Sequence, residues 1–253
     1  MIVTFLGTGT SQGIPVIACK CAVCNSTDYK DIRLRSSAHI EIDNLHINID
    51  VGTDFRQQML VNNIKEMDAI LLTHEHKDHT GGLDDVRSFN FAQQMDMPLY
   101  GRQHVLDQIS TEFSYIFAKN KYPGVPQINR KTISNKPFKI NNTTITPIEV
   151  MHHKLPVFGF RIEDFAYITD ANYISEKEKT KLKGLKVLVL NALQIKKHIS
   201  HFTLAEAIEL IEELKPEKAY LIHISHKLGL SRDVAPTLPT NIQLAYDGLR
   251  ISI

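Results

Sequence analysis

The sequence predicts an α/β protein in which two sheets pack face to face with helices on the outside. Three observations carry this. Short strand-like segments bounded by Gly, Asn, Asp and Thr occur in both halves of the chain, each half runs from strands into helices, and no repeat, low-complexity stretch or Pro- or Ser-rich linker divides it. At 253 residues, 43% hydrophobic and 23% charged, a single domain over 1–253 can bury a sizeable core, and disorder is excluded.

In order, IVTF (2–5), HIEI (39–42), LHINI (45–49) and AILL (69–72) read as strands, and TDFRQQMLVNN from Thr53 as the first helix. Helical patterns follow around SFNFAQQM and VLDQISTEFSYIFA. The polar stretch KNKYPGVPQINRK then reads as a loop. In the second half, TITPIEV, VFGFRI, FAYIT and KVLVL are strands, and KAYLIH and LRISI close the chain as strands. Between them TLAEAIELIEEL is a helix, because Thr203 and Glu206 have capping-box spacing and Leu204, Ala207, Ile208, Ile211 and Leu214 share one face.

Lys plus Arg is 29 against 28 for Asp plus Glu, and a net charge of +1 argues against a dedicated nucleic-acid binder. One local asymmetry stands out: 114–148 has no Asp or Glu but carries Lys119, Lys121, Arg130, Lys131, Lys136 and Lys139. That segment is either a solvated face or a lure for anionic substrates. No apolar run is long enough to span a membrane and no signal peptide is visible, so a cytoplasmic protein is expected. Cys19, Cys21 and Cys24 are the only cysteines. An odd number within six residues argues for metal or redox chemistry rather than disulfides.

The chemistry starts in LLTHEHKDHTGGL. An apolar strand runs into His74, His76, Asp78 and His79, four ligand-type side chains that a loop at a strand end can turn inward around two metal ions. With this HxHxDH motif the chain resembles the metallo-β-lactamase superfamily. The resemblance implies a four-layer αβ/βα sandwich with a dinuclear metal site at the sheet edge.

It also implies further site residues. Asp50, closing HINID, is the buried Asp that orients the metal loop; His152 in VMHHKL is the third-motif ligand, with its neighbour His153 as the alternative; Asp170 in AYITDAN bridges both metals; and His223 in AYLIHISH is the last ligand. The implied sets are His74, His76, His152 and Asp170 for one metal, and Asp78, His79, Asp170 and His223 for the other. True lactamases commonly place a Cys in the second site, whereas all cysteines here lie near the N-terminus, which argues against antibiotic hydrolysis.

Within the superfamily, GTGTSQGIP, the CxCxxC that follows it, HKLPVFGF and LIHISH are similar to the phosphoribosyl 1,2-cyclic phosphate phosphodiesterase (PhnP-like) family. That similarity implies a structural Zn2+ held by Cys19, Cys21, Cys24 and His226. It also implies that His201 in ISHFTLAEA contacts phosphate and protonates the leaving oxygen. The glycines of GTGTSQG read as tight turning beside the metal site rather than a nucleotide cradle, and His39, His46, His104 and His198 fall outside the clusters.

The expected function is a metal-dependent phosphodiesterase acting on cyclic phosphate or other small phosphodiesters, with Asp78 orienting the attacking hydroxide and His201 as acid. Two divalent ions, Zn2+ or Mn2+, are expected at the active site. A ribonuclease Z-like enzyme shares the metal motifs, but the chain has no long Gly- and Pro-rich arm for clamping RNA. A non-enzymatic binding module is disfavoured by the intact ligand set. No membrane partner is expected, RNA is the second choice of substrate, and a homodimer is left open.

Overall fold

In the computed structural model, which describes residues 1–253, several central strands read as near-continuous apolar runs, such as AIL (69–71), FAYI (165–168) and VLVL (187–190), because both of their faces are covered. The first sheet holds β1 (Ile2–Gly7), β2 (Ser37–Ile42), β3 (Leu45–Ile49), β4 (Ala69–Leu71), β5 (Met97–Gly101) and β6 (Ile128–Thr132) in that order, with the last strand, β15 (Arg250–Ser252), beside β1. The second contains β7 (Phe138–Ile140), β8 (Thr143–His152), β9 (Leu155–Ile162), β10 (Phe165–Ile168), β11 (Tyr173–Ile174), β12 (Val187–Asn191), β13 (Lys218–Ile222) and β14 (Ile242–Leu244). Its order is β11-β8-β9-β10-β12-β13-β14, with β7 on β8.

Strand periodicity sorts side chains into layers. On β4, Ala69 and Leu71 face the other sheet while Ile70 faces the outer helices. On β12, Val187 and Val189 point inward while Leu188 and Leu190 point outward. Three apolar layers result. The middle one, with Phe5, Ile47, Phe160 and Tyr167, lies between the sheets. The first outer layer packs sheet one against α1 (Phe55–Val61), α3 (Arg87–Gln93) and α4 (Gln103–Glu112); α2 (Lys77–Thr80) and α5 (Ser114–Phe117) flank these. The other packs sheet two against α7 (Leu204–Leu214), with α6 (Glu176–Lys179) and α8 (Ser231–Val234) nearby. This is the αβ/βα sandwich. The Thr203–Glu206 capping box forms as the spacing predicts.

Two local readings are corrected, and one strand went unread. The stretch assigned wholly to a loop contains β6, which pairs in parallel with β5 although only Ile128 is buried; an edge strand with polar side chains gives little alternation to read. The pattern in VLDQISTEFSYIFA breaks at Phe113 (φ −108°, ψ 43°) into α4 and α5. Strand β5 itself, MPLYG, lacks β-branched residues and carries Pro and Gly, so its place in the sheet comes from burial of Met97 and Leu99.

The sheet order positions the site. β3, β4 and β5 run parallel, as do β10, β12 and β13, so their carboxyl ends emerge along shared edges. Asp50, His74, Asp170 and His223 each follow such an end, where ligands of α/β sheets gather.

Candidate metal centre

Asp50, Asp170 and His223 all adopt left-handed backbone conformations, with φ of 61°, 56° and 55°. For non-glycine residues each costs about 1–3 kcal/mol, a strain that the surrounding packing holds in place. Each turn follows a strand end. The HxHxDH segment lies across the first of these turns, against Gly52, where a Cβ would come within 2.0 Å of the Asp78 carbonyl oxygen. Any side chain at 52 would push the motif out of place.

Asp50 organises the loop from beneath. Its Oδ1 accepts from the Thr73 N–H (2.8 Å), and its Oδ2 accepts from Thr73 Oγ1 (2.8 Å) and faces His79 Nδ1 (2.6 Å). With Nδ1 so engaged, His79 turns Nε2 toward the cluster. That nitrogen is buried 3.1 Å from Asp78 Oδ2 and 3.4 Å from Asp170 Oδ1, yet has no hydrogen bond. A buried ring nitrogen converging on two carboxylates without a partner is the donor arrangement a cation would complete.

Two four-residue groups meet here. His74, His76, His152 and Asp170 form one and Asp78, His79, Asp170 and His223 the other, with the donor atoms of each within 4.8 Å of one another. Asp170 belongs to both. Its Oδ2 is 3.8 Å from His74 Nε2, while its Oδ1 is 3.1 Å from His223 Nδ1. Of the two histidines at the third motif, His152 has Nδ1 2.9 Å from the Ser200 carbonyl and joins the first group, whereas His153 is exposed and outside it.

Burial and charge divide the imidazoles. Burial opposes protonation of His79, but the carboxylates of Asp78, Asp170 and Asp50 outweigh it and hold its pKa well above the ordinary range. Burial, with His79 nearby, holds His74 well below. Burial likewise works against the Asp170 carboxylate, but His223 and His79 keep it ionised. His201 is 8% exposed, with its ring 4.7 Å from that of His152 and 4.8 Å from that of His223; burial and His223 push it down to about 3.

A third group lies apart, where the loop after β1 meets the turn after β13. Cys19, Cys21 and Cys24 Sγ are 3.2, 3.5 and 3.4 Å from His226 Nδ1. The Cys24 N–H directed at Cys21 Sγ lowers Cys21 to about 6, while burial pushes Cys24 up to about 11. Three thiols and one imidazole nitrogen converging in this way are a donor set of the kind a tetrahedral zinc ion takes.

Several supporting residues escaped the sequence reading. Thr10 Oγ1 is 3.2 Å from His223 Nε2, so the GTGTSQG turn steadies a ligand-type side chain. Asn191 bonds both the N–H and the carbonyl of Ala171, fixing the turn that carries Asp170. His198, set aside earlier, has its ring 5.2 Å from that of His201. Only Gly52 and Thr10 had any signal in the sequence, through their places beside motif residues. The basic residues of 114–148 lie mostly on exposed β6 and its approach; Arg130 donates to Ser110 Oγ and stacks over Phe117.

The beta-lactamase superfamily domain model matches residues 46–224. A crystal structure of a diphosphatase from the PhnP family superposes with a TM-score of 0.93 at 37% identity, covering 100% of this chain and 97% of that one. An octanoyltransferase of Porphyromonas gingivalis is 40% identical over 251 residues, 98% of this chain but 51% of that protein, and a ribonuclease Z of Prochlorococcus marinus is 25% identical over 169 residues, 65% of this chain and 50% of that enzyme. The chain thus spans about half the length of the curated relatives it matches. Human tRNase Z, short form, shares the fold with a TM-score of 0.72 at 19% identity.

Proposed function

The chain belongs to the metallo-β-lactamase superfamily and, within it, to the PhnP family, and as a hydrolase of that kind we propose that it is a metal-dependent phosphodiesterase of cyclic phosphates and other small phosphodiesters. The observation that carries the reading is Asp170, whose two oxygens face separate four-residue donor groups. The PhnP-family diphosphatase supports phosphorus as the centre attacked, and extends the candidate substrates to a phosphoanhydride.

His74, His76, His152 and Asp170 would hold one divalent ion and Asp78, His79, Asp170 and His223 the other. Imidazoles favour zinc, and the carboxylate share admits manganese. Such a pair would lower the pKa of a bound water and neutralise charge on phosphate oxygens. The residues do the rest. Asp50 holds His79 in one orientation, Asp78 orients the attacking oxygen, and His201 gives a proton to the leaving oxygen. His201 is neutral in the absence of substrate, so the phosphate anion itself must supply the charge that favours its protonated form. Cys19, Cys21, Cys24 and His226 would hold a structural zinc, which is also why these thiols are not free for acyl transfer. We assign the transfer named for the Porphyromonas relative to the half of that protein outside the match.

The test is a hydrolysis screen of metal-loaded protein with bis(4-nitrophenyl) phosphate, a cyclic ribose phosphate, a nucleoside diphosphate conjugate, thioesters and precursor transfer RNA. Hydrolysis of the phosphodiesters, abolished by chelator, is expected; turnover of thioesters or precursor RNA alone would overturn the reading. His201→Ala should slow the cyclic phosphate about 100-fold and the nitrophenyl ester much less, because nitrophenolate leaves without a proton. Equal losses on both would remove the acid role.

A further inference from the structure

Away from the metal centre, a cavity of about 440 Å³ opens beside the edge strand β14, between the segment after the cysteine loop and the turn that includes α8. One wall is apolar, formed by Pro236, Leu238, Ile242 and Leu244. Lys30 and Arg232, both exposed, contribute positive charge, with Asp28 the single acidic residue lining it. Beside the mouth the Tyr29 and Tyr246 rings meet edge to face at 5.6 Å, and Lys30 Nζ sits 5.4 Å from the Tyr246 centroid.

The decisive residue is Arg33, which lines this cavity and is only 2% exposed. A guanidinium carries five N–H donors. Nη1 donates to Thr8 Oγ1 (2.7 Å) and the Ala245 carbonyl (2.5 Å), and Nη2 donates to Ser231 Oγ (3.2 Å), which leaves Nε–H and one Nη2–H without a protein acceptor. No carboxylate bonds it directly: Asp247 is reached through Thr8, whose hydroxyl donates to Asp247 Oδ1 at 2.7 Å, and Asp31 through Ser231, whose N–H donates to Asp31 Oδ1 at 2.8 Å, while Asp28 also stands near enough to favour its charge. These carboxylates offset part of the charge but take none of its remaining donors, and buried N–H groups left without an acceptor are costly. Nε–H and the Nη2–H beside it on a guanidinium can donate to two oxygens side by side.

We propose that this cavity is a second ligand site that takes a small organic anion, its carboxylate or phosphate on Arg33 and its apolar body against Pro236, Leu238, Ile242 and Leu244. The open volume suits a body of six to ten heavy atoms, on the order of the lower end of small-molecule pockets. The site stands independently of the phosphodiesterase reading, since none of its residues belongs to the donor groups of the metal centre.

Calorimetric titration of the metal-loaded protein with hexanoate and with phenyl phosphate tests it, with acetate and inorganic phosphate as head groups lacking the apolar body. Saturable binding of hexanoate or phenyl phosphate, at least about tenfold tighter than its bare head group, is expected, and the better of the two identifies the head group. Arg33→Lys, which loses the fork, and Ala235→Glu, which puts a like charge on an exposed residue lining the cavity, should each weaken binding about tenfold or more. Ala235→Glu should leave nitrophenyl phosphodiester hydrolysis unchanged. If Arg33→Lys fails to fold, Ala235→Glu decides. Absence of saturable binding, no preference for the larger probe, or binding unaltered by Ala235→Glu would overturn the proposal, the last by moving the anion to the metal centre.

Discussion

The His/Asp cluster and the cysteine cluster are each assembled from donors far apart in sequence, yet they are built differently. The first gathers at strand ends around a buried centre: His74, His79, Asp170 and His223 are at most 2% exposed, Asp78 and His152 are half-buried and His76 is exposed, and three strained left-handed turns aim the chain around it. The second stands on two loops. Its four residues are partly exposed, and it joins segments more than 200 residues apart in the chain. Burial strengthens electrostatics and fixes geometry, which is what chemistry at a metal needs; a loop tie needs only affinity, because binding there adds to folding. On the proposed reading, similar donor counts serve reaction in one place and cohesion in the other.

The largest effect expected from that division is on turnover. Asp170→Asn removes the carboxylate shared by both donor groups and should lower phosphodiester hydrolysis by about 1000-fold or more while shifting the melting temperature little. If rate survives and stability collapses, the roles of the two clusters are reversed. Cys21→Ala should do the opposite: metal analysis of purified protein should fall from three ions per chain to two, and stability by about 3 kcal/mol in urea unfolding, with kcat nearly intact. Unchanged zinc content would remove the Cys3His assignment.

A smaller effect belongs to neither cluster and serves as their control. His39 on β2 is 1% exposed, and burial, aided by His46, lowers it from 6.5 to about 4. Because the folded pKa is depressed, the unfolded chain takes up this proton first; stability is full above pH 6.5 and is lost as pH falls toward 4, by on the order of 2 kcal/mol. His39→Gln should flatten that part of the pH profile without changing metal content, and a profile identical to wild type would assign the acid sensitivity elsewhere. The smallest effect is on the support beneath the catalytic cluster. Thr73→Val keeps the backbone N–H to Asp50 but removes the hydroxyl, and should weaken active-site metal affinity about tenfold in a competition titration, leaving the cysteine-bound ion untouched. Equal weakening of both ions would show that the two clusters are mechanically linked.

Much of this was legible in the amino-acid order, because local chemistry repeats locally. HxHxDH after an apolar strand, three cysteines within six residues and the Thr203 capping box each lie within a short window. Resemblance then linked Asp50, His152, Asp170, His201, His223 and His226 to them, and the fold brings these into the expected groups. What the order of residues could not decide is convergence in space. β5 and β6 are strands because neighbours complete their ladders, not through their own alternation. His152 and not His153 joins the cluster because the hairpin from β8 to β9 turns one residue inward and the next outward, a choice made by register. Asn191 and Arg33 carry no motif at all, and Thr10 has only its place in GTGTSQG. Their roles arise only when strand ends, turns and the loop after β1 are packed together, since an unfilled donor or a held carboxylate is defined by what surrounds it and not by its neighbours in the chain.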